Sequence, residues 1–358
     1  MQRCIQLAMN GRQNARPNPM VGAVIVSDDG TIIGEGYHIR HGEGHAEVNA
    51  FASVRPEHQH LLPQSTLYVS LEPCSHFGKT PPCADLIISR GVKRVVVGCV
   101  DPFAQVQGRG IQRLRDAGIE VTVGVCEEEC RELNKVFFTF HRFHRPFITL
   151  KWAESADHFI GGLDAEGRPT PAAISSVYTQ MLCHKLRAEH QAILVGHTTW
   201  TTDHPSLTTR QWYGPNPLRV ILANEPAIQS SANNLTDAGT DVTAPDTILQ
   251  KGPISSVLSA LHRRGIQSLL VEGGARVLRQ FIDTGLWDEA FVEHGTICLN
   301  NGTPAPQMPT VVNPTSEPVI RCGEKGPDTI HSYLKTFFGR TITHYVNTHK
   351  KTILQTVG

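Results

Sequence analysis

The sequence carries no net charge, because 33 Lys and Arg residues balance 33 Asp and Glu. It therefore lacks the basic excess with which proteins coat nucleic acid. It has no apolar run approaching the roughly 18–20 residues that cross a bilayer. Its first residues, Met1-Gln2-Arg3-Cys4-Ile5-Gln6, are too polar for a secretory signal. Internal repeats and low-complexity segments are absent. Nine cysteines, an odd number spread unevenly over 358 residues, do not make a disulfide framework. Such frameworks belong to small secreted domains, so reduced thiols and metal ligation are the better readings. What is present is enough apolar residue for a sizeable core: hydrophobic residues are 40 % of the chain, with 31 Gly besides. The length suits about two domains. These features describe a protein expected in the cytoplasm, independent of membrane and nucleic acid.

Along the first 136 residues the element type alternates. Met1, Cys4, Ile5 and Ala8 share a helical face that ends at Asn10-Gly11. This helix is short at its start, which leads us to expect a few further residues upstream. Val21 to Val26 and Ile32 to Tyr37 read as strands joined by an Asp29-Gly30 turn. Helices are expected from His45 to Ser53, Cys83 to Arg90, Ile111 to Ala117 and Glu127 to Lys135. Strands are expected at Leu67 to Ser70, Val95 to Val100 and Glu120 to Val125. This order implies a sheet covered by helices. Phe137 to Arg145, aromatic and basic, ends at Pro146 and sets the domain boundary. The second half predicts strands at Phe147 to Trp152, Ala192 to Val195, Leu218 to Ala223, Ser268 to Val271, Glu289 to Cys298 and Thr329 to Phe338. Its helices are expected at Val177 to Ala188, Ile254 to Arg264 and Val277 to Thr284. Asn224 to Pro253 reads as loop-rich, with no order of elements assigned to it.

His45-Ala46-Glu47 lies at a helix start, and Pro73-Cys74 is followed nine residues on by Cys83. One imidazole and two thiolates make a three-ligand zinc site with the fourth position left for water. Zinc lowers the pKa of such a water towards 7. Glu47 stands two residues from a ligand, near enough to move protons without binding metal. The pattern matches the zinc deaminases, His-x-Glu with a later Pro-Cys-x-x-Cys, except that Cys-x8-Cys replaces the usual spacing. A structural zinc site, or unrelated buried thiols, remains the alternative. Cys126 and Cys130, four apart, read as packing residues.

The eleven residues Pro73-Cys74-Ser75-His76-Phe77-Gly78-Lys79-Thr80-Pro81-Pro82-Cys83 narrow the choice. With Asn18-Pro19-Met20-Val21-Gly22, Gly36-Tyr37-His38 and Gly108-Arg109-Gly110 they resemble the bifunctional riboflavin-biosynthesis enzymes. These are the diaminohydroxyphosphoribosylaminopyrimidine deaminase / 5-amino-6-(5-phosphoribosylamino)uracil reductases. The resemblance covers residues 1 to 338. It implies that Asn18, His38, His76, Lys79 and Asp101 line the deaminase substrate pocket. One position departs: the family's Asp-Pro-Asn-Pro is Asp101-Pro102-Phe103-Ala104 here.

In the second half, Glu272-Gly273-Gly274-Ala275 lies between a strand and a helix, where a phosphate can approach backbone N–H groups. A lone Gly-Gly is equally a tight turn. Leu150 to Asp157, Leu186-Arg187-Ala188, Val195 to Thr199 and Asp203 to Arg210 are similar to the family's reductase domain. That domain is dihydrofolate-reductase-like and uses NADPH. The resemblance implies that Ala153, Thr199, Asp203 and the turn from Gly274 to Gln280, including Ala275 and Arg276, face the cofactor. It implies that Lys151, Arg187, Leu207, Arg210 and Glu272 face the substrate. Two arginines suit a ribose phosphate. The family's Asp-Gly is Asp157-His158 here, and its Trp-Ile-Thr-Ser is Ala173-Ile174-Ser175-Ser176.

The expected architecture is α/β: a cytidine-deaminase-like three-layer domain over residues 1–145, then a dihydrofolate-reductase-like α/β domain over 146–339. Residues 340–358 extend past the family's usual end with no assigned role. The expected function is zinc-dependent deamination of 2,5-diamino-6-(5-phosphoribosylamino)pyrimidin-4-one, then NADPH-dependent reduction of ribosyl to ribityl. The alternative is a deaminase whose second domain only binds or assembles. A nucleic-acid base deaminase has neither the charge nor an aromatic-basic groove here. The partner is a small-molecule pyrimidine ribose phosphate, with a homo-oligomer left open.

Overall fold

The computed structural model describes residues 1–75, 81–103, 107–223, 247–309, 330–337 and 340–348. It divides into two compact units, Met1–Arg142 and Phe143–Gly358.

The first unit runs α1 (Gln2–Ala8), β1 (Gly22–Val26), β2 (Ile32–Tyr37), α2 (Ala46–Ala52), β3 (Thr66–Leu71), α3 (Cys83–Arg90), β4 (Arg94–Cys99), α4 (Arg109–Asp116), β5 (Glu120–Val123), α5 (Glu127–Leu133) and α6 (Lys135–Phe143). Its sheet has the order β2-β1-β3-β4-β5. β1 pairs antiparallel with β2 and β3, while β3, β4 and β5 are parallel. The core is built from Ile25, Leu67, Val69, Val95 and Val97 of the strands against Phe51, Ile87 and Leu114 of the helices. α2 lies so close on β2 that a Cβ at Gly36 would stand 2.3 Å from the Ala50 nitrogen and 2.6 Å from the Ala46 oxygen. A glycine is therefore required there for the helix to seat.

Two segments differ from expectation. Pro56–Gln64 winds into a 3-10 helix. Phe137 to Arg145, read as a boundary, is helical as far as Phe143, because burying Phe138 and Thr139 gives it an inner face. Cys126 precedes α5 in a left-handed conformation, φ 54°, and only Cys130 is buried in that helix.

The second unit runs β6 (Phe147–Glu154), β7 (Phe159–Leu163), β8 (Pro169–Thr170), α7 (Val177–Glu189), β9 (Ala192–Gly196), α8 (His197–Asp203), β10 (Leu218–Ala223), β11 (Thr247–Lys251), α9 (Ile254–Arg263), β12 (Ser268–Val271), α10 (Ala275–Thr284), β13 (Glu289–His294), β14 (Thr303–Pro304), β15 (Ile330–Phe337) and β16 (Arg340–Asn347). The main sheet has the order β11-β10-β9-β12-β6-β13-β16-β15, and β14, β7 and β8 form a small second sheet. The first six strands are parallel, and β16 and β15 close the edge antiparallel. The strands β9 and β12 are buried along their whole length, as expected of parallel strands covered on both faces.

The stretch expected as an extension past residue 339 thus begins with a full strand: β16 lies between β13 and β15. Thr247–Lys251 is a strand inside the segment read as loop, while residues 224–246 lie outside the described ones. β13 stops at His294, four residues short of the expected Cys298.

One buried ion pair starts this unit. Arg145, fully buried, donates from both terminal nitrogens to Asp288, at 2.6 and 3.0 Å. Asp288 Oδ2 also accepts from the Ile148 backbone N–H at 2.8 Å. Removing one member leaves an uncompensated charge in the interior, which costs about 3–5 kcal/mol. Asp288→Ala should therefore lower the unfolding free energy of this unit by about that amount and move its urea midpoint down. An unchanged midpoint, followed by tryptophan fluorescence, would show the pair to be dispensable.

Candidate active sites

Helix starts bring the first site together. His45 is the N-cap of α2, Cys83 is the first residue of α3, and Cys74 follows β3. His45 Nδ1 stands 3.5 Å from the Cys74 sulfur and 3.3 Å from the Cys83 sulfur. The three ligand atoms all lie within 4.8 Å of one another, and this is the metal-competent cluster among the described residues. A nitrogen and two sulfurs at this spacing fit a tetrahedral zinc ion with one position open.

The electrostatics agree. The Cys74 thiol is pulled well down, first by its hydrogen bond with the Cys83 side chain and then by His45, whereas Cys83 is pushed up. One sulfur thus holds the proton that the other has given up, and a divalent cation would release it. Glu47, in the first turn of α2, is 3 % exposed. Burial pushes its carboxyl up, with the Cys74 charge adding to the effect.

Around this cluster, the Asn18 amide lies 3.1 Å from His38 Nε2, and His38 Nδ1 lies 3.1 Å from the Gly44 carbonyl. The carbonyl can only accept, so Nδ1 carries the proton and the Asn18 amide donates to Nε2. His38 meets His45 edge-on, with ring centroids 5.3 Å apart. Asp101 is buried, and burial raises its pKa to about 6. His76 and Lys79 lie outside the described residues.

The sequence reading did not single out Glu72. Its buried carboxylate accepts from the backbone N–H groups of Asp101, Gly108, Gly110 and Ile111, at 2.9–3.3 Å. It thereby fixes the Asp101 segment and caps α4. The only hint in the sequence was a carboxylate directly before Pro73-Cys74.

The second unit holds two adjoining cavities. One, about 360 Å³, is lined by Thr199, Asp203, Gly274, Ala275 and Arg276, among others. It lies over the start of α10, where Gly274 N–H donates to Thr199 Oγ1 at 3.2 Å. A helix start with an arginine beside it fits an anionic cofactor. The other, about 430 Å³, is lined by Lys151, Ala153, Arg187, Arg210 and Glu272 and shares Thr199, Asp203 and Gly274 with the first.

Within the larger cavity Arg187 is already paired. Its Nε and one terminal nitrogen donate to the two oxygens of Glu272, at 2.9 and 2.6 Å, and its other terminal nitrogen donates to the Thr208 carbonyl. Burial alone would raise Glu272, but Arg187 outweighs it and holds the carboxyl low. Burial would likewise lower Lys151, yet the combined pull of Cys183, Glu272 and Glu293 raises it. Lys151 is therefore a fixed cation. Leu207 departs from expectation: its side chain is 2 % exposed and packs with Ile193, Val195 and Trp200. A leucine beside an apolar cluster is worth more buried there than lining a polar cavity, so its side chain does not face the substrate space.

Comparison with known proteins gives a consistent picture. Residues 1–99 match the cytidine and deoxycytidylate deaminase zinc-binding region, and residues 146–312 match the RibD C-terminal domain. The riboflavin biosynthesis protein RibD of Aquifex aeolicus is 40 % identical over 312 residues, covering 82 % of this chain and 85 % of that protein. RibD of Escherichia coli is 35 % identical over 322 residues, with 82 % and 85 % covered. The crystal structure of a diaminohydroxyphosphoribosylaminopyrimidine deaminase / 5-amino-6-(5-phosphoribosylamino)uracil reductase from Thermotoga maritima is 33 % identical. It superposes with a TM-score of 0.78 over 97 % of both chains.

The geometry of the first site predicts its metal content. The purified protein should carry one zinc per chain, and Cys74→Ser should lose most of it, because a neutral hydroxyl replaces a thiolate. Full retention of zinc in that variant, measured by atomic absorption, would rule out Cys74 as a ligand.

Proposed function

The chain belongs to the RibD family, the bifunctional deaminase–reductases of riboflavin biosynthesis, and from that premise we propose how its residues divide the two reactions. The observation that carries the reading is the convergence of His45, Cys74 and Cys83 beside a buried carboxyl, Glu47. His45, Cys74 and Cys83 would hold a zinc ion, which would supply a water activated as a nucleophile near neutral pH. Glu47 takes a proton from that water at its carboxylate and returns it to the departing amino group. Its raised pKa suits the exchange, since a base must also work as an acid. Asn18, with His38 held in its Nδ1–H form, hydrogen-bonds the substrate, 2,5-diamino-6-(5-phosphoribosylamino)pyrimidin-4-one. Asp101, His76 and Lys79 complete that pocket in our reading, with Lys79 as the phosphate partner.

We assign the reduction to the second unit. Bound there, NADPH would supply the hydride that reduces ribosyl to ribityl. Thr199, Asp203, Gly274, Ala275 and Arg276 hold it, with Ala153 reaching it from the larger cavity. Lys151, Arg210 and the Arg187–Glu272 pair form the substrate side. We assign the work to the cytoplasm, on small-molecule substrates, in keeping with cysteines that are all free among those described. No helix among the described residues is long and apolar enough to cross a membrane. The domain limits we propose are about 1–142 for deamination and 143–347 for reduction, with β16 part of the second.

Incubation with the diaminopyrimidinone phosphate should release ammonia without NADPH and yield a product heavier by two hydrogens with it, read by mass spectrometry. No ammonia would sink the first assignment, and no NADPH-dependent product the second. Glu47→Gln should keep zinc while ammonia release falls about 10²-fold or more. An unchanged rate would make Glu47 a bystander. Gly274→Leu should weaken NADPH binding and spare ammonia release. A Cβ there already meets Thr199 Oγ1 at 3.1 Å, and the longer side chain extends from that point. Unaltered NADPH titration would remove Gly274 from the cofactor site.

A further inference from the structure

α7 is tied to the main sheet by two carboxylates, one on each side of β6. Thr179, Cys183 and Arg187 stand four residues apart and so share one helical face. Cys183 and Arg187 donate to Glu272, which follows β12. Thr179 Oγ1 donates at 2.6 Å to Oε1 of Glu293, in β13. β6 runs between those two strands and carries Lys151. In the ladder Phe291 lies opposite Lys151 and Glu293 opposite Ala153, and residues two apart share a face of a sheet. Glu293 therefore stands on the face that Lys151 and Ala153 offer to the larger cavity, and Lys151 feels its charge.

The second oxygen of Glu293 holds the cavity wall. Residues 171–176, between β8 and α7, belong to no strand or helix, yet Ala172, Ala173, Ile174 and Ser175 line the larger cavity. Within the segment the Ile174 N–H donates to the Ala172 carbonyl at 2.9 Å, a bond too local to tie it to the sheet. The methyl groups of Ala172 and Ala173 cannot tie it either. Two other side chains do. Ser175 Oγ donates to Glu293 Oε2 at 2.6 Å, and buried Ile174 sits so close over Gly295 that a Cβ there would stand 2.6 Å from its Cγ2. Glu293 is itself 2 % exposed, and a carboxylate excluded from water binds its donors strongly. One side chain thus fastens both the wall and the head of α7 to the strand beside Lys151.

We propose that Glu293 is a positioning residue of the reductase centre, which through Ser175 and Thr179 fixes the 172–176 wall against Lys151 and so sets the affinity for the phosphoribosyl substrate. The proposal rests on the reductase reading above. Glu293 acts through other residues, because each of its oxygens accepts from a hydroxyl of the chain. Its effect falls on binding: a wall that is free to shift must be ordered each time the substrate enters. Ser175 gives its one proton to Glu293, so its hydroxyl keeps a single orientation. Ala172 to Ser175 are not among the residues lining the cavity assigned to NADPH, so cofactor affinity should not depend on the anchor.

The test uses the full chain, 5-amino-6-(5-phosphoribosylamino)uracil as substrate and NADPH oxidation as the readout. Two variants separate reach from charge. Glu293→Asp keeps the charge but falls one methylene short of the hydroxyls, and should raise KM about ten-fold, the scale of one lost hydrogen bond. Glu293→Gln loses the charge but still bonds both hydroxyls, and its KM should stay within about three-fold of wild type. Ser175→Ala leaves the Thr179 contact in place and should raise KM about five-fold at an unchanged urea midpoint. Combined with Glu293→Asp it should add nothing, since the two act through one hydrogen bond. In every variant kcat, NADPH affinity and ammonia release should stay within about two-fold of wild type, as a loss of uniform binding requires. A merely structural Glu293 would lower the urea midpoint in Glu293→Asp and leave KM unchanged in Ser175→Ala, which would overturn the proposal. So would a Gln variant as impaired as the Asp one, which would place the effect in the charge beside Lys151. An additive double variant would make Ser175 a direct substrate contact and overturn it too. Where Glu293→Asp is too unstable to assay, the KM of Ser175→Ala decides. A wild-type chain that bound this compound in calorimetry without oxidising NADPH would overturn the reductase reading alone, and the dissociation constants of the same variants would then report on the anchor.

Discussion

Parallel strand pairing is the constraint on which both centres depend. In a parallel ladder every strand presents its carboxyl end to the same edge, and the chain must leave that edge by a loop or a helix start. Glu72 and Cys74 follow β3, and Asp101 follows β4. In the second unit Thr199 follows β9, and Glu272 to Gly274 follow β12. Residues far apart in sequence meet because their strands are neighbours: β3 pairs with β4, and β9 with β12. The helix starts then aim backbone N–H groups at the same edge, which favours thiolate, carboxylate and phosphate there. A single topological rule thus prepares a metal centre in one unit and an anion-binding centre in the other.

The two centres handle their charges differently. At the first, Cys74, Cys83 and His45 share too few positive charges for two thiolates, so the proton distribution among them awaits a cation. At the second, charge is balanced within the chain. Arg187 and Glu272 neutralise each other, and Lys151 remains charged between acidic neighbours. Of the two arginines only Arg187 is held by a carboxylate, whereas Arg210 donates to Ser206 Oγ. This alters the expectation that both would grip a ribose phosphate, because a bidentate guanidinium–carboxylate pair leaves few donors over.

Departures from the family pattern find local explanations. His158 takes the place of a glycine and adopts φ 63°, the left-handed region that glycine occupies freely. A residue with a side chain gives up about 1 kcal/mol there, and the 2.8 Å contact of its Nδ1 with Glu154 offsets part of it. The turn is therefore kept without the glycine. Phe103, in place of an amide, still donates its backbone N–H to Asp101, and its ring packs on His141. The Asp101 loop keeps its anchor while losing a side-chain hydrogen-bonding group. Ala173 lines the larger cavity where an indole would stand, so that wall is smaller.

The metal ligands, Glu47 and most strands and helices were legible in the sequence, because their signals are local. Hydrophobic periodicity, a His-x-Glu at a helix start and two cysteines nine apart each fit within a dozen residues or so. Short, polar or edge elements were not. β7 and β8 pair across a short turn but are too short to stand out, β14 joins β7 from far along the chain, and β16 pairs with β13, some fifty residues earlier. The burial of Leu207, the four N–H groups on Glu72, the Arg187–Glu272 pair and the two hydroxyls on Glu293 were decided by tertiary structure alone. Each depends on which groups converge in three dimensions and on what water is excluded, and neither quantity is written in residue spacing. The sequence by itself determined which chemistry the chain can do; the packing decided which side chains are free to do it.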